Sequence, residues 1–222
     1  MKYAIPIFAV VFLLLSSCAS RAPRVPDITV DRDSRNFAAG AAEVQLNMAF
    51  SVGGLRKFDL DVTYYPSDDV ICLEYRMDFV KHYLFLDRDG REAFVTALEN
   101  YKYDYEQRNL TDKRSKAKQA YGTARSLLIW EAFRFSGEGR SNPVLKLGYY
   151  FVRDAPYFAI TMPEAPNVSK ITGDKTLNSA MQIFYFTRAQ ADMLAALFDE
   201  DYLRGLGAPG VTGGAADVEE AY

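Results

Sequence analysis

Residues 43–52 place Val44, Leu46, Met48 and Phe50 at every second position, so that these apolar side chains fall on one side of an extended chain. A strict period of two marks a strand with one buried face. Gly53-Gly54 follows, a strong hairpin signal. The alternation then resumes through Phe58, Leu60, Val62 and Tyr64. Pro66-Ser67-Asp68-Asp69 reads as a turn. Residues 70–86 are too long for one strand and are expected to break near Asp78.

The period changes after Leu86. Asp89 and Glu92 have capping-box spacing, and Phe94, Leu98, Tyr101 and Tyr105, with Val95 alongside, form the apolar stripe of a helix. That helix is expected to end within the highly charged stretch 102–118. The second half repeats the scheme. Strands are predicted over 127–135, 144–152, 157–162 and 180–186, with turns at Gly137-Glu138-Gly139 and Asp154-Ala155-Pro156 and a polar loop of about 16 residues from Pro163. Thr187 and Gln190 form a second capping box, which opens a helix carrying Met193, Leu194, Leu197 and Tyr202.

The two strand-to-helix junctions keep one spacing. Leu84-Phe85-Leu86 and Ile183-Phe184-Tyr185 lie 99 residues apart, as do Phe94-Val95 and Met193-Leu194. The predicted fold is α+β, predominantly antiparallel strands with two packed helices. The constant spacing suggests a duplicated ββββα unit, repeats 43–110 and 123–204, although any amphipathic strand-helix junction shares some of that pattern. In topology alone, this order resembles the ββββα repeats of Whirly and PUR-type single-stranded nucleic-acid-binding proteins. No binding motif of either family is present residue by residue, and a shared architecture does not carry a function with it.

The N-terminus gives an address. Lys2, an apolar run over 4–15 and then Leu15-Ser16-Ser17-Cys18 have the order of an export signal. The last four residues resemble the lipobox of bacterial lipoproteins, which implies cleavage before Cys18 and acylation of that cysteine. Alternatives are an uncleaved signal anchor or an ordinary secretory signal cut elsewhere. The apolar run is about a dozen residues, short of the roughly 20 that a spanning helix needs. Acyl chains on Cys18 would make the membrane a partner through N-terminal lipid, because two or more chains anchor stably. Ala19 and Ser20 follow Cys18, which resembles the outer-membrane class of proteobacterial lipoproteins, a rule that varies between bacterial groups. The expected organisation is a signal peptide at 1–17, a lipidated N-terminus and flexible tether at 18–42, a single domain at 43–204 and a disordered Gly-rich tail at 205–222.

Charge and catalytic motifs narrow the function classes. The formal charge of −3 and the interspersed Lys and Arg give no footprint for nucleic acid, and none is expected as a partner. With Cys18 acylated, Cys72 is the remaining thiol and reads as a small buried hydrophobe. His82 is the sole histidine, too few to suggest a zinc site, and no Gly-x-Ser-x-Gly elbow occurs. Asp87-Arg88-Asp89-Gly90 opens like a calcium loop, but Arg91 and Leu98 stand where later ligands are needed, so a helix cap is the simpler reading. Asp59 and Asp61 share a strand face without a sign of enclosure and read as wet surface. No catalytic residue, metal or cofactor is expected.

Aromatic residues suggest something else. Tyr and Phe number 15 each, and Tyr101, Tyr103 and Tyr105 cannot share one helix face. Tyr149, Tyr150 and Phe151 are consecutive, so at least one of them opposes its neighbours on a strand. Tyr101, Tyr103, Tyr105, Tyr149 and Tyr150 are therefore candidates for a protein-facing surface. The expected function is a membrane-anchored envelope lipoprotein with a non-catalytic binding or scaffolding role toward an envelope protein. Alternatives are a small-ligand carrier with a groove between sheet and helices and, behind it, a hydrolase.

Overall fold

The computed structural model describes residues 27–46, 55–77, 79–111, 116–132, 138–169 and 178–207. The export segment, Cys18, the Gly53-Gly54 hairpin, Asp78, Gly137 and the tail beyond 207 lie outside the described residues. The strands are β1 (Phe37–Leu46), β2 (Arg56–Tyr65), β3 (Val70–Met77), β4 (Val80–Leu86), β5 (Gly122–Arg125), β6 (Leu127–Ala132), β7 (Glu138–Ser141), β8 (Val144–Val152), β9 (Ala155–Met162) and β10 (Gln182–Phe186). Helix α1 (Arg88–Glu106) follows β4, a 3-10 turn (Ala117–Gln119) precedes β5, and α2 (Arg188–Ala196) and α3 (Glu200–Leu206) follow β10. The α+β class with antiparallel strands is as the sequence predicts; among the described residues there are three helices rather than two.

Pairing closes the sheet on itself. β5 and β6 are separated by Ser126, and β7 and β8 by Asn142-Pro143. Their ladder nevertheless keeps one register from Glu131↔Glu138 through Leu128↔Ser141 to Arg125↔Val144 and Gly122↔Leu147. They are thus two long strands, each interrupted once. Pro143 has no N–H to give to the ladder, and Ser126 Oγ donates to its carbonyl at 2.7 Å across the break. The eight resulting strand lengths follow one another as neighbours: β1, β2, β3, β4, β5–β6, β7–β8, β9 and β10. β10 then returns to β1 through Gln45↔Tyr185 and Leu46↔Phe184. An up-and-down barrel results, with four strand lengths contributed by each half of the chain, followed by α1 in the first half and by α2 and α3 in the second.

Alternate residues fill the barrel, as its size requires. Val44, Leu60, Leu73, Leu84, Leu128, Leu147, Ile160 and Phe184 belong to one buried cluster. Trp130 also turns inward, lying over Gly139, where a Cβ would come within 1.9 Å of the indole. α1 lies across the rim at which β4 and β10 end. Its N-cap is Asp87, whose carboxylate accepts from Gly90 N at 2.9 Å, two residues before the predicted Asp89–Glu92 box. The Thr187–Gln190 capping box is formed as expected. Phe94, Ala97, Leu98 and Tyr101 are the buried stripe, and Phe94 meets Phe158, Phe186 and Phe198 edge-on at 5.3, 6.4 and 5.1 Å. Each such ring contributes roughly 1.5–3 kcal/mol by leaving water. The predicted last helix is two: α2 ends at Ala196, and Asp199 caps α3 by accepting from Tyr202 N at 2.8 Å. A β-bulge at Ala38/Gly40 lets Leu197 approach β1, and Gly40 takes φ 141° there.

The segment read as a tether is partly folded. β1 begins at Phe37, and residues 27–36 lie as a strap over the outside of the barrel. Ile28 is 7 % exposed and packs with Tyr65, Val70, Cys72, Phe85, Leu127 and Ile129. Further along, Arg32 binds Glu131 at 2.9 Å and Glu138 at 2.8 Å and lies 4.3 Å from the Tyr83 ring. Aromatic side chains on the outer face of β2 and β4 thus acquire a cover that periodicity could not reveal.

Helix, turn and barrel meet at Arg91, which is 1 % exposed. Its guanidinium donates to Asp69 Oδ1 at 2.7 Å, the Asp69 carbonyl at 2.8 Å and Glu200 Oε1 at 2.6 Å. Burial opposes the charge, but the hydrogen bonds to Glu200 and Asp69 outweigh it and hold the pKa above its ordinary value. Asp69 sits at φ 51° in the β2–β3 turn, so the contact also fixes a left-handed residue. Arg91→Met keeps most of the bulk and deletes the pairing. It is expected to cost about 2–4 kcal/mol, because both carboxylates keep some water. Lys57→Gln, which breaks the exposed pair to Glu43, should cost under about 0.5 kcal/mol in the same urea titration. Equal losses in the two variants would refute this ranking.

Candidate interaction surface

The five predicted tyrosines do not share a surface. Tyr101 and Tyr149 are fully buried; the first donates its hydroxyl to the Pro156 carbonyl at 2.9 Å and the second to the Thr111 carbonyl at 3.1 Å. Burial pushes the Tyr101 phenol above its ordinary range. Both are core residues, which corrects the surface reading. Tyr103 is 63 % exposed on the far side of α1, and Tyr105 stands at the end of that helix under Arg188, whose guanidinium lies 4.2 Å from the ring. Tyr150 turns outward from β8, as its position beside inward Tyr149 requires.

Tyr150 belongs to a different cluster. It pairs across the ladder with Tyr157 of β9, and next to them Tyr185 of β10 pairs with Ala159. Tyr185 meets Tyr150 at 5.8 Å and Tyr157 at 6.4 Å, with interplanar angles of 63° and 88°. Edge-to-face pairs of this kind contribute about 0.5–1.5 kcal/mol beyond their burial. Tyr185 is 5 % exposed although it points away from the barrel interior, while its two neighbours stay half-buried. Beside them runs a groove of about 600 Å³ lined by Gln45, Leu55, Val152, Ala155 and Tyr157, with Arg153 and Asp154 at its edge. Arg153 holds φ 56° in the two-residue β8–β9 turn, a conformation in which Asn or Gly is at ease and Arg is not. Period-two reading of β9 and β10 carries the missed signal: Phe158 and Phe184 point inward, so Tyr157 and Tyr185 must point out.

The residues weighed for chemistry are structural here. His82 is buried inside the barrel with its ring stacked 4.9 Å from Tyr75, whose hydroxyl donates to Gln182 Oε1 at 2.7 Å. Among the described residues no serine or cysteine side chain hydrogen-bonds to His82, and its Nδ1 is without a partner. Cys72 is buried in the cluster that contains Ile28, and burial pushes its thiol up, opposite to what a nucleophile needs. Asp59 and Asp61 are exposed on β2 opposite Glu43 and Glu74, which are paired with Lys57 at 3.0 Å and Lys81 at 2.6 Å. Asp87 is the α1 cap and binds Arg125 at 2.8 Å. Among the described residues, no group of three or more His, Cys, Asp or Glu side chains could hold a metal ion.

His82 makes stability depend on pH. Burial lowers its pKa to about 4, against the opposing pull of the Val80 backbone. An unfolded imidazole takes up its proton near 6.5, so more protons bind the unfolded chain between those values. The contribution of neutral His82 is therefore complete above about pH 6.5 and is lost as pH falls toward 4. It amounts to roughly 3 kcal/mol. His82→Gln should flatten this part of the profile, read as the difference in urea midpoint between pH 7 and pH 4.5. An unchanged difference would disprove the assignment.

A family model described as an uncharacterised Treponema protein matches residues 29–205. The chain belongs to that family. The match takes in the strap together with the barrel and helices. A protein of Treponema pallidum (strain Nichols), described as uncharacterized, is 26 % identical over 112 residues, which are 50 % of this chain and 40 % of that protein. The chain thus spans about two fifths of the curated relative it matches. No solved structure matches the chain. No described helix is long and apolar enough to cross a membrane.

Proposed function

We propose that this chain is a lipid-anchored, non-catalytic binding module of the bacterial envelope that takes a protein partner on the tyrosine face of β8, β9 and β10. The observation that carries the reading is the Tyr150–Tyr185–Tyr157 cluster beside its groove, on the outside of a barrel whose interior is filled. Tyrosine combines large contact area with few rotatable bonds and a polar tip, which suits it to interfaces. Gln45 and the Arg153–Asp154 turn add polar contacts around an apolar floor, the arrangement of an interface with a dry centre and a wet edge. Arg153 supports the reading, because a strained backbone position occupied by a residue unsuited to it points to a role outside folding.

The residues around Cys18 support the anchoring part of this reading. Between Cys18 and docked Ile28 the chain can span at most about 35 Å even when extended, so an acylated protein would hold its barrel near the bilayer. Cys18→Ala is expected to abolish labelling by radioactive palmitate and to move the protein from the detergent to the aqueous phase on Triton X-114 partition. Persistence of both properties would sink the anchoring proposal.

The binding face is tested with a photo-cross-linking residue placed at Val152 or Ala155, and at Tyr103 as control, in intact envelopes. One discrete adduct from the groove positions, absent from the control and lost on Tyr157→Ala, is the expected result. The same adducts from all positions, or none from the groove, would count against the face. Arg153→Asn should raise stability by about 0.5–1 kcal/mol through relief of the left-handed backbone, while weakening the groove adduct. A variant that is more stable with an undiminished adduct would remove Arg153 from the binding role.

A further inference from the structure

A second groove, of about 490 Å³, opens at the helix-capped rim, between the end of α1 and the strands β8 and β9. Leu110, Phe151 and Pro156 form its apolar wall, and Tyr105 closes one side. Arg188, the first residue of α2, reaches in with its guanidinium over the Tyr105 ring at 4.2 Å. Arg108 enters from the segment after α1, where it holds φ 55°. Glu106 is the one acidic side chain on the lining among the described residues.

The convergence of two arginines on one groove, both without an ion pair among the described residues, is the informative part. Arg32, Arg88, Arg91 and Arg125 each hold a carboxylate at 2.6–3.2 Å. Arg108 and Arg188 line one groove, and among the described residues neither forms an ion pair. A guanidinium over an aromatic face keeps its N–H donors available at its rim, where they match the two oxygens of a carboxylate or phosphate. Two such donors beside an apolar wall make a site for a molecule with an anionic head and an apolar body, and the volume lies in the range of small-molecule sites. We propose that this groove binds a small anionic amphiphile, its phosphate or carboxylate held by Arg108 and Arg188 and its apolar part against Phe151, Leu110 and Pro156. This site is separate from the tyrosine face, and neither proposal depends on the other.

Calorimetric titration of the full mature chain with 2-naphthyl phosphate tests it, with inorganic phosphate and vesicles of phosphatidylglycerol or phosphatidylcholine as comparisons. Naphthyl phosphate is expected to bind at one saturable site, and inorganic phosphate about tenfold or more weakly for want of an apolar body. Arg108→Gln and Arg188→Gln should each weaken binding about tenfold, and Glu106→Gln should tighten it several-fold. That opposite sign is not something a general loss of structure can produce, and all three side chains are exposed, so the variants should keep the parent melting temperature. Arginine-dependent binding of phosphatidylglycerol vesicles would assign the head group to a lipid. Binding of the soluble probe alone would assign it to a free metabolite. The proposal is overturned if neither the probe nor anionic vesicles bind, or if binding is unchanged within twofold in both arginine variants.

Discussion

Closure of the backbone ladder between β10 and β1 is the constraint on which the architecture rests. Among the described residues Gln45↔Tyr185 and Leu46↔Phe184 make that contact, and they pair edges of an antiparallel sheet that would otherwise expose rows of unpaired N–H and C=O groups. For the ring to close, two strands must extend far enough to reach neighbours at both ends. The interrupted β5–β6 and β7–β8 pair does so, meeting β4 at one end and β9 at the other. Ser126 and Pro143 mark where the long strands bend without losing register. Once closed, an eight-stranded ring has an interior that side chains can fill, as they do here, and its open rim is covered. α1 covers it, and Arg91 ties that helix to the β2–β3 turn and to α3.

With the interior filled, the binding proposed above has only the outside of the barrel to use. Phe94, Phe158, Phe184, Phe186, Tyr75 and Tyr149 occupy space that a carrier would leave for cargo. What remains for a partner is the wall and the rim. On the wall, the tyrosines of β8–β10 present one chemistry, contact area with hydroxyl tips. At the rim, Arg108 and Arg188 present another, positive charge that is without an ion pair among the described residues, beside apolar side chains. The two differ in what they could take, and the distance of each from the filled interior explains why neither needs the barrel to open.

The sequence carried most of the elements and little of their closure. Period-two alternation placed β2, β3, β4, β6, β8, β9 and β10 to within a few residues, and Thr187–Gln190 placed the start of α2, because these signals are local; it began β1 six residues late, passed over β5 and took Glu138 and Gly139 of β7 for a turn. Three features failed for a common reason. The strap was read as tether because Ile28 and Val30 show no periodicity and gain their burial only from Phe85 and Leu127 far along the chain. Tyr101 and Tyr149 were read as surface because their burial depends on α1 lying over β9. The cap moved from Asp89 to Asp87 because Arg125, 38 residues away, also holds Asp87. Of the candidate face, Tyr150 was legible from its place between Tyr149 and Phe151. Tyr157 and Tyr185 become its neighbours only through strand pairing.

The strap has a consequence for the thiol of Cys72. Cys72 shares its cluster with Ile28 and is 2 % exposed, so it meets solvent only when the strap lifts or the barrel unfolds. In an oxidising compartment a permanently exposed single cysteine would couple chains in pairs. Behind the strap, the same residue is a shielded clock: its rate of alkylation under native conditions reports how often residues 27–36 leave the wall. Strap opening and whole-barrel unfolding would then be separable by their dependence on denaturant, steep for the second and shallow for the first.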